Sequence, residues 1–293
     1  MISGCMDPRI KRLELKTSLT ALADFLLPRV CVVCGTQLLP CEKHICMECL
    51  ADLPLTHFET LSRNPMADIL NASLPDEPRY AYASALFFYS SGSGYDLITR
   101  DLKYRRNFGL GRYFARMLGD KLKSSPLFTD VDAVVPVPLH WLREWKRGYN
   151  QAGIIAVEVG RALGVPCLPG LLKRSRSTGT QTARSSAARS SNVSDAFRYS
   201  GPSFPPHPSL PSSFISDVSM SPSISNLLVP SGSPSYPLEI FDKPLSPDLP
   251  WRHILVIDDV FTTGATTAAC VKALRAALGP SVRISVATLA VVE

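Results

Sequence analysis

The sequence is poor in charged side chains and has no long apolar run. Asp, Glu, Lys and Arg make up 19% of the 293 residues, below the roughly 25% of an average soluble domain. No stretch approaches the ~18 uninterrupted apolar residues that a membrane-spanning helix needs. The first residues also lack the apolar core of about 7–15 residues that is typical of a signal peptide. We therefore expect a cytoplasmic protein without a membrane span.

The eight cysteines are clustered instead of being spread along the chain as in a disulfide framework. Five of them lie between residues 31 and 49, and in a reducing compartment such clusters bind metal more often than they form disulfides. The spacings Cys31-x-x-Cys34 and Cys46-x-x-Cys49 allow four thiolates to surround one Zn²⁺ tetrahedrally. We predict a structural zinc knuckle over residues 28–55, because a bound metal can fold a segment too short to build its own core.

Other interpretations of this segment stay open from the sequence alone. Cys41 and His44 lie between the two pairs and could replace one of the four ligands. The cysteines could also be buried free thiols or a redox pair, although one Cys-x-x-Cys is enough for redox chemistry.

Proline and serine are concentrated in one stretch of the chain. Residues 200–250 contain 12 prolines and 14 serines. Proline has no amide donor and serine buries little apolar surface, so such a stretch cannot offset its ordering entropy with a core. We predict a disordered Ser/Pro-rich insertion over 200–250.

Strand-like and helix-like patterns alternate along the remaining chain. Leucines at helical spacing predict an amphipathic helix that ends before Pro28, within an N-terminal segment of residues 1–27. The runs VDAVVPVP and HILVIDD are nearly continuous apolar strands, of the kind buried on both faces of a parallel sheet. Because helical patterns follow both runs, we predict an α/β fold with an open, mostly parallel sheet. The predicted strands cover 80–90, 131–138, 253–259 and 282–292. The predicted helices cover 94–123, as one helix or two, 150–163 and 264–278, and the polar stretch 54–79 has no predicted element.

The run VIDDVFTTGAT, residues 256–266, points to a specific chemistry. A buried strand delivers two adjacent carboxylates, Asp258 and Asp259, at its C-terminal end, where α/β sheets bind ligands. A loop of small and hydroxylated residues then opens a helix, and its amides and hydroxyls can bind a phosphate at the positive end of the helix dipole. The two carboxylates suit the vicinal hydroxyls of a ribose, directly or through Mg²⁺.

This run closely resembles the phosphoribosyl-pyrophosphate motif of type I phosphoribosyltransferases. The resemblance implies that Asp258 and Asp259 are the catalytic residues and contact the ribose hydroxyls. The residues that it implies for the 5′-phosphate are Thr262, Thr263, Gly264, Ala265 and Thr266. Phosphoribosyl transfer passes through an oxocarbenium-like centre, and the leaving pyrophosphate must be neutralised by Mg²⁺ and basic groups.

Basic groups are concentrated in the segment 139–198. It holds ten Lys and Arg against three Asp and Glu, an excess larger than the net charge of +6 of the whole chain. We predict that Arg143 and Arg147, which follow a strand, and Arg174 bind the pyrophosphate. A basic run alone is more often a solvated face, and the same charge would also suit the phosphates of a nucleic acid.

Taken together, these segments resemble the ComF family of competence-associated proteins. The motifs that carry the resemblance are the cysteine knuckle, Leu102-Lys103-Tyr104, PVPLHWLREWKRGYNQ, RSRSTGTQ and VIDDVFTTGAT. The resemblance implies a phosphoribosyltransferase-type domain over 80–199 and 251–293, with PVP as the pyrophosphate loop and RSRSTGTQ as a loop that closes over the site. The long insertion departs from the family pattern, and it lies between that closing loop and the phosphate motif.

Three classes of function stay open from the sequence. The first is an enzyme, a glycosyltransferase that moves a phosphoribosyl group to or from an unidentified acceptor in nucleoside or nucleotide metabolism, with Mg²⁺. The second, implied by the ComF resemblance, is a cytoplasmic DNA-uptake factor that handles single-stranded DNA with a helicase partner. The third is a non-catalytic module that binds phosphoribosyl pyrophosphate or a nucleotide and signals its level.

Overall fold

The fold is given by a computed structural model that describes residues 28–75, 80–139, 148–174, 196–201 and 251–292. The helix predicted within residues 1–27 lies outside the described residues. The insertion predicted over 200–250 also lies outside them, except for its first two residues.

Six α-helices and six strands lie along the described part of the chain. The helices are α1 (Met47–Ala51), α2 (Pro65–Ala72), α3 (Asp96–Tyr104), α4 (Phe108–Ser124), α5 (Gln151–Leu163) and α6 (Ala265–Leu278). The strands are β1 (Ala83–Tyr89), β2 (Ala133–Pro136), β3 (Leu172–Arg174), β4 (Phe197–Tyr199), β5 (His253–Phe261) and β6 (Arg283–Val292). None of the described helices combines the length and the apolar character that crossing a membrane requires.

Four of the strands form a parallel sheet in the order β1-β6-β5-β2. All four strands therefore end at one edge of the sheet, where α/β proteins bind their ligands. The two short strands β3 and β4 pair with each other in antiparallel fashion, apart from this sheet. The predicted α/β fold with a mostly parallel sheet is confirmed.

Strand β5 is longer than its sequence pattern predicts. The pattern places the end of the strand at Asp258 and Asp259, but the strand continues to Phe261. The strand is longer because β6 pairs with the extra residues, with Asp258 opposite Thr288. On the other side β2 ends at Pro136, opposite Ile257. The two acids therefore lie where β5 has a neighbouring strand on one side only.

Alternate residues of β5 face two layers of helices, as the two-residue repeat of a strand requires. Leu255 and Ile257 belong to the core that includes α4 and α5. Ile254 and Val256 belong to the second core, which includes α2 and α6. Burial on both faces explains why the apolar run of this strand is nearly continuous.

Helix α2 lies within the polar stretch 54–79, where the sequence pattern predicts no element. The side chain of Asn64 caps this helix by accepting a hydrogen bond from the Ala67 amide at 2.9 Å, and Pro65 occupies the first helical position, which proline favours. Met66 and Leu70 are buried in the core shared with α6. The Asn-Pro start was therefore a usable indication of a helix.

The cysteine-rich segment packs on the same core as α4. Leu38, Ile45 and Leu53 are buried in one cluster with Phe87 and Phe114. After this segment, the chain pairs with the edge strand β1, where the Phe88 amide donates to the Pro54 carbonyl at 2.8 Å. Loss of order in the cysteine-rich segment would therefore expose part of the core that contains Phe87 and Phe114.

Candidate functional site

The four cysteines of the two Cys-x-x-Cys pairs meet in space. The sulfur atoms of Cys31, Cys34, Cys46 and Cys49 all lie within 4.8 Å of one another, and those of Cys34 and Cys46 are 3.7 Å apart. With Zn–S bonds of about 2.3 Å, a tetrahedral site places its sulfur atoms ~3.8 Å apart. The cluster therefore has the dimensions to bind a metal ion such as zinc.

Local backbone geometry brings these sulfur atoms together. Gly35 follows the first pair with a φ of +75°, and its amide donates to the Cys31 carbonyl at 2.9 Å. The Cys46 amide donates to Cys31 Sγ, and the Cys49 amide donates to Cys46 Sγ, both at 3.4 Å. Amide donors of this kind favour the thiolate form, which is the form that binds metal.

The two alternative ligands between the pairs lie outside the cluster. Cys41 is exposed to solvent. The ring of His44 packs edge-on against Tyr113, with 5.9 Å between the ring centroids, and burial lowers the pKa of His44. Their place in the sequence suggested a ligand role that the geometry does not give them.

A cleft of about 230 Å³ opens at the carboxyl edge of the sheet, beside β5 and the end of β2. Six elements contribute to it: the ends of α3, β2, β3 and β5 and the starts of α5 and α6. The lining residues are Lys103, Tyr104, Val137, Pro138, Leu139, Asn150, Gln151, Ala152, Arg174, Asp258, Asp259 and Thr266. The cleft thus brings together four of the residues that the sequence motifs single out: Asp258, Asp259, Thr266 and Arg174.

The two carboxylates of the cleft have different environments. Asp259 Oδ2 forms an ion pair with Lys103 Nζ at 3.1 Å, whereas Asp258 accepts a hydrogen bond from the Asp259 amide at 2.9 Å. Burial, followed by the negative charge of Asp259, raises the pKa of Asp258 to about 7, although Lys103 and Arg174 oppose this shift. A carboxyl group with a strongly raised pKa in a cleft is typical of a ligand-binding or catalytic site.

The loop from β5 to α6 depends on a glycine. Gly264 has a φ of +73°, and a Cβ atom there would lie 2.7 Å from Cζ of Phe261, so only glycine fits without strain. The Thr267 hydroxyl donates to the Gly264 carbonyl at 2.9 Å within the first turn of α6. Thr262 and Thr263 are exposed in this loop, and they and Ala265 lie outside the cleft lining.

Two side chains fix the other walls of the cleft. Asn150 Nδ2 donates to the Val137 carbonyl at 3.0 Å, while its Oδ1 accepts from the Ala152 amide at 3.1 Å. This residue therefore caps α5 and ties the helix to the loop after β2. The Tyr149 hydroxyl donates to the Leu102 carbonyl and thereby ties the end of α3 to the start of α5.

Two of the predicted site residues fall outside the described residues, and some residues that line the cleft were not predicted. Arg143 and Arg147 lie outside the described residues. Lys103, Tyr104 and Asn150 line the cleft but were not among the predicted site residues. The segment Leu102-Lys103-Tyr104, one of the motifs shared with a known family, was the available indication for the first two.

Comparisons with known proteins identify relatives of this chain. No protein-family model matches it. It is 26% identical over 182 residues to competence protein F of Haemophilus influenzae, and the match covers 61% of each chain. It is 30% identical over 105 residues to the DNA utilization protein YhgH of Salmonella typhi, covering 46% of that protein. It is 26% identical over 242 residues to the YhgH protein of Escherichia coli, covering 81% of it. The chain therefore spans less than two thirds of the first two of these relatives.

The fold and the site define an α/β protein with a parallel four-stranded sheet, a four-cysteine cluster and, at the carboxyl edge, a cleft that holds two adjacent acids. Among known families, the relatives confirm the resemblance to the ComF family that the motifs indicate. Their names, which refer to competence and to DNA utilization, support a competence-related family.

Proposed function

We propose that the cleft binds a ligand that contains ribose 5-phosphate, either phosphoribosyl pyrophosphate or a nucleotide. The observation that carries this proposal is the pair Asp258 and Asp259, which lie beside the start of α6 on a part of β5 that β2 leaves uncovered. Two adjacent acids at such a place do not stabilise a sheet. The raised pKa of Asp258 indicates that its ionised form is unfavourable in the fold, which is typical of a functional residue.

The proposal gives a role to the charged groups of the cleft and to the loop beside it. Asp258 and Asp259 accept hydrogen bonds from the ribose hydroxyls. The loop Thr262–Thr266 binds the 5′-phosphate through amides and hydroxyls at the positive end of the α6 dipole. Lys103 and Arg174 contribute positive charge toward a pyrophosphate, and we propose the same role for Arg143 and Arg147.

The donor set also fits Mg²⁺. Two adjacent carboxylates are hard oxygen ligands of the kind that this ion prefers, and their mutual repulsion contributes to the raised pKa of Asp258. When it is bound, Mg²⁺ neutralises charge on the leaving pyrophosphate. We therefore propose phosphoribosyl transfer to or from an acceptor as the activity, with zinc bound by the four cysteines in a structural role.

A second candidate function follows from the names of the relatives. Competence and DNA utilization favour a role in DNA uptake, in which the chain handles single-stranded DNA with a helicase partner. The basic segment 139–198 would then contact nucleic-acid phosphates. Binding of a ribose phosphate in the cleft is compatible with this role. A protein that binds the ligand without catalysis would instead signal the level of that ligand.

Calorimetric titration of the full chain with phosphoribosyl pyrophosphate and Mg²⁺ tests the proposal. The double variant Asp258→Asn, Asp259→Asn keeps the side-chain size but removes the charge, and losing charge-assisted bonds of roughly 1.5–3 kcal/mol each predicts at least a tenfold fall in affinity. Asp120→Asn, an exposed acid on α4, is the matched control and should bind like the parent.

The same samples are then titrated with a single-stranded oligodeoxythymidine. DNA binding should survive in the double variant or strengthen slightly, because two negative charges are removed. If the double variant binds phosphoribosyl pyrophosphate as tightly as the parent, the transferase and sensor functions are both wrong and the DNA-handling role is left.

A further inference from the structure

The cysteine-rich segment carries three exposed apolar side chains. Val30 is 53% exposed, Leu39 is 59% exposed and Met47 is 65% exposed. Of the large apolar residues in the described part of the chain, only Tyr104 has a larger exposed fraction. Exposed apolar residues that are scattered singly are normal, whereas a contiguous group marks an interaction surface. Whether these three side chains form such a surface depends on how the backbone places them.

Backbone pairing places Val30 and Leu39 on one face. Val30 lies opposite Gln37 in an antiparallel bridge, and the Leu38 amide donates to the Arg29 carbonyl at 2.8 Å. Successive side chains of an extended segment point to opposite faces, and Leu38 is buried while its neighbours Gln37 and Leu39 are exposed. Leu39 therefore lies diagonally across the pair from Val30, on the outer face of the segment.

A buried carboxylate brings Met47 next to Leu39. Glu42 Oε2 accepts a hydrogen bond from the Leu39 amide, and Glu42 Oε1 accepts one from the Met47 amide, both at 2.7 Å. Hydrogen bonds to an ionised carboxylate are strong, so the two backbone positions are fixed beside each other. Val30, Leu39 and Met47 thus form one preorganised surface, the knuckle patch, and such a surface loses little freedom when it is covered.

The segment that precedes the patch in the chain has an apolar stripe of its own. Within the helix predicted before Pro28, leucines recur at intervals of four, three and four residues: Leu15, Leu19, Leu22 and Leu26. This spacing puts them on one face of a helix, and a helix of this length gains most of its stability by packing that face on a neighbour. Val30 follows Leu26 by four residues, which span at most about 14 Å. The end of the leucine stripe is therefore within reach of the patch.

We infer that residues 11–27 form a helix that packs its leucine face on the knuckle patch. The short covalent link makes this docking intramolecular, with an effective concentration on the order of millimolar. A second copy of the chain or another protein would have to compete with that concentration. Because the four cysteines hold the patch together, the helix also depends on the cysteine cluster for its docking surface. The inference is independent of the ligand proposed for the cleft.

Hydrogen exchange of the full, zinc-loaded chain, followed by mass spectrometry, tests the docking. In the parent, the amides of residues 11–27 should be protected. In the double variant Leu39→Gln, Met47→Gln they should exchange about tenfold faster or more, because the helix then opens without having to leave an apolar surface. The exchange of β6 and the zinc content should stay as in the parent. The matched control is Leu61→Gln, Ile69→Gln, which changes two exposed apolar residues outside the patch and should leave residues 11–27 protected.

Photo-crosslinking identifies what covers the patch and does not depend on how well the double variant folds. The photoreactive residue p-benzoylphenylalanine replaces Met47 and keeps its apolar character, and equal amounts of unlabelled and isotope-labelled chains are mixed before irradiation. We expect cross-links to peptides of residues 11–27 in which both halves carry the same isotope, as docking within one chain requires.

Four results would overturn the inference. Rapid exchange of residues 11–27 in the parent would show that they form no docked helix, and protection that survives both glutamine substitutions would show that they dock elsewhere. Cross-links of mixed isotope composition would identify a second copy of the chain as the occupant of the patch. Cross-linking that leaves residues 11–27 unlabelled would show that the patch is not covered by them.

Discussion

The cysteine cluster and the cleft are both built on short motifs, but they are completed in different ways. All four sulfur atoms of the cluster come from residues 31–49 and are brought together by local turns. The cleft collects residues from six elements, spread along the chain from Lys103 to Thr266. Spacing in sequence is therefore enough to place metal ligands, whereas a ligand cleft depends on which strands pair and where each one ends.

The two regions also differ in what they contribute to stability. A metal bound by the cluster adds binding free energy to folding, and the cluster covers part of the main core. In the cleft, burial and the charge of Asp259 instead make the ionised form of Asp258 unfavourable. We therefore expect substitutions in the cluster to unfold the protein, and those in the cleft to affect ligand binding more than folding.

The largest effect is expected from Cys46→Ser, which removes a ligand of the cluster. Zinc content should fall from about one ion per chain to near zero, and the free energy of unfolding should fall by about 4 kcal/mol because loss of a metal site is among the most damaging changes. Metal analysis and thermal unfolding measure both effects. Cys41→Ser, in the same segment but outside the cluster, should change neither quantity. A parent protein that holds no zinc after refolding with zinc present would contradict the prediction.

An intermediate effect is expected from Gly264→Ala, because Gly264 lies in the loop between β5 and α6 that we propose binds the 5′-phosphate. The left-handed backbone and the 2.7 Å approach to Phe261 should lower the unfolding free energy by about 2 kcal/mol and distort the loop. Chemical denaturation and titration with phosphoribosyl pyrophosphate measure these effects. Gly170→Ala, where an added Cβ meets nothing within 4 Å, is the control. Equal stability of the two variants would show that the close approach is not present in solution.

The smallest effect is expected from Lys103→Met, which breaks the ion pair with Asp259. Removal of one partly exposed charge should weaken the affinity for phosphoribosyl pyrophosphate about tenfold, the size expected for a hydrogen bond to a charged group. Because Lys103 lowers the pKa of Asp258, that pKa should also rise further in the variant, which carboxyl NMR can follow. Lys123→Met, an exposed position on α4, should leave both quantities unchanged. Tighter binding by Lys103→Met would mean that the ion pair only blocks the cleft.

The fold was predictable from the sequence where the apolar pattern is continuous. The run HILVIDD predicted β5, and Gly164 predicted the end of α5, where it adopts a φ of +75°. The length of β5 was not predictable, because the residues after Ile257 are held by the partner β6, and no local pattern encodes that pairing. Helix α2 was missed because it is short and its stretch is polar, although Asn64 and Pro65 have a typical N-terminal pattern.

The site was predictable only in part, for the same reason. Asp258 and Thr266 lie in one motif and reach the cleft together. Lys103, near the end of α3, lies in the cleft through its ion pair with Asp259 on β5, far away in the chain. Asn150 reaches it through the carbonyl of Val137, 13 residues away in the chain. Contacts of this kind depend on the assembled sheet and leave no regular spacing in the sequence.

We propose that Asp258 serves ligand binding and not stability. An unfolded aspartate has a pKa of about 3.9, whereas burial and Asp259 raise that of Asp258 to about 7 in the folded protein. The folded state therefore favours the neutral carboxyl group, and stability is lost as the pH rises through this range. Asp258→Asn removes this loss while keeping an oxygen that can accept the hydrogen bond from the Asp259 amide.

Thermal unfolding of the parent and of Asp258→Asn at pH 8, with and without phosphoribosyl pyrophosphate and Mg²⁺, tests this claim most directly. Without ligand, the variant should unfold at a higher temperature than the parent, and the difference should vanish near pH 4. With ligand at about a hundredfold excess over its Kd, the parent should gain about 2.7 kcal/mol, while the variant should gain far less. The proposed ligand role of Asp258 would be contradicted by a variant that is less stable than the parent without ligand and that the ligand stabilises as much as it stabilises the parent.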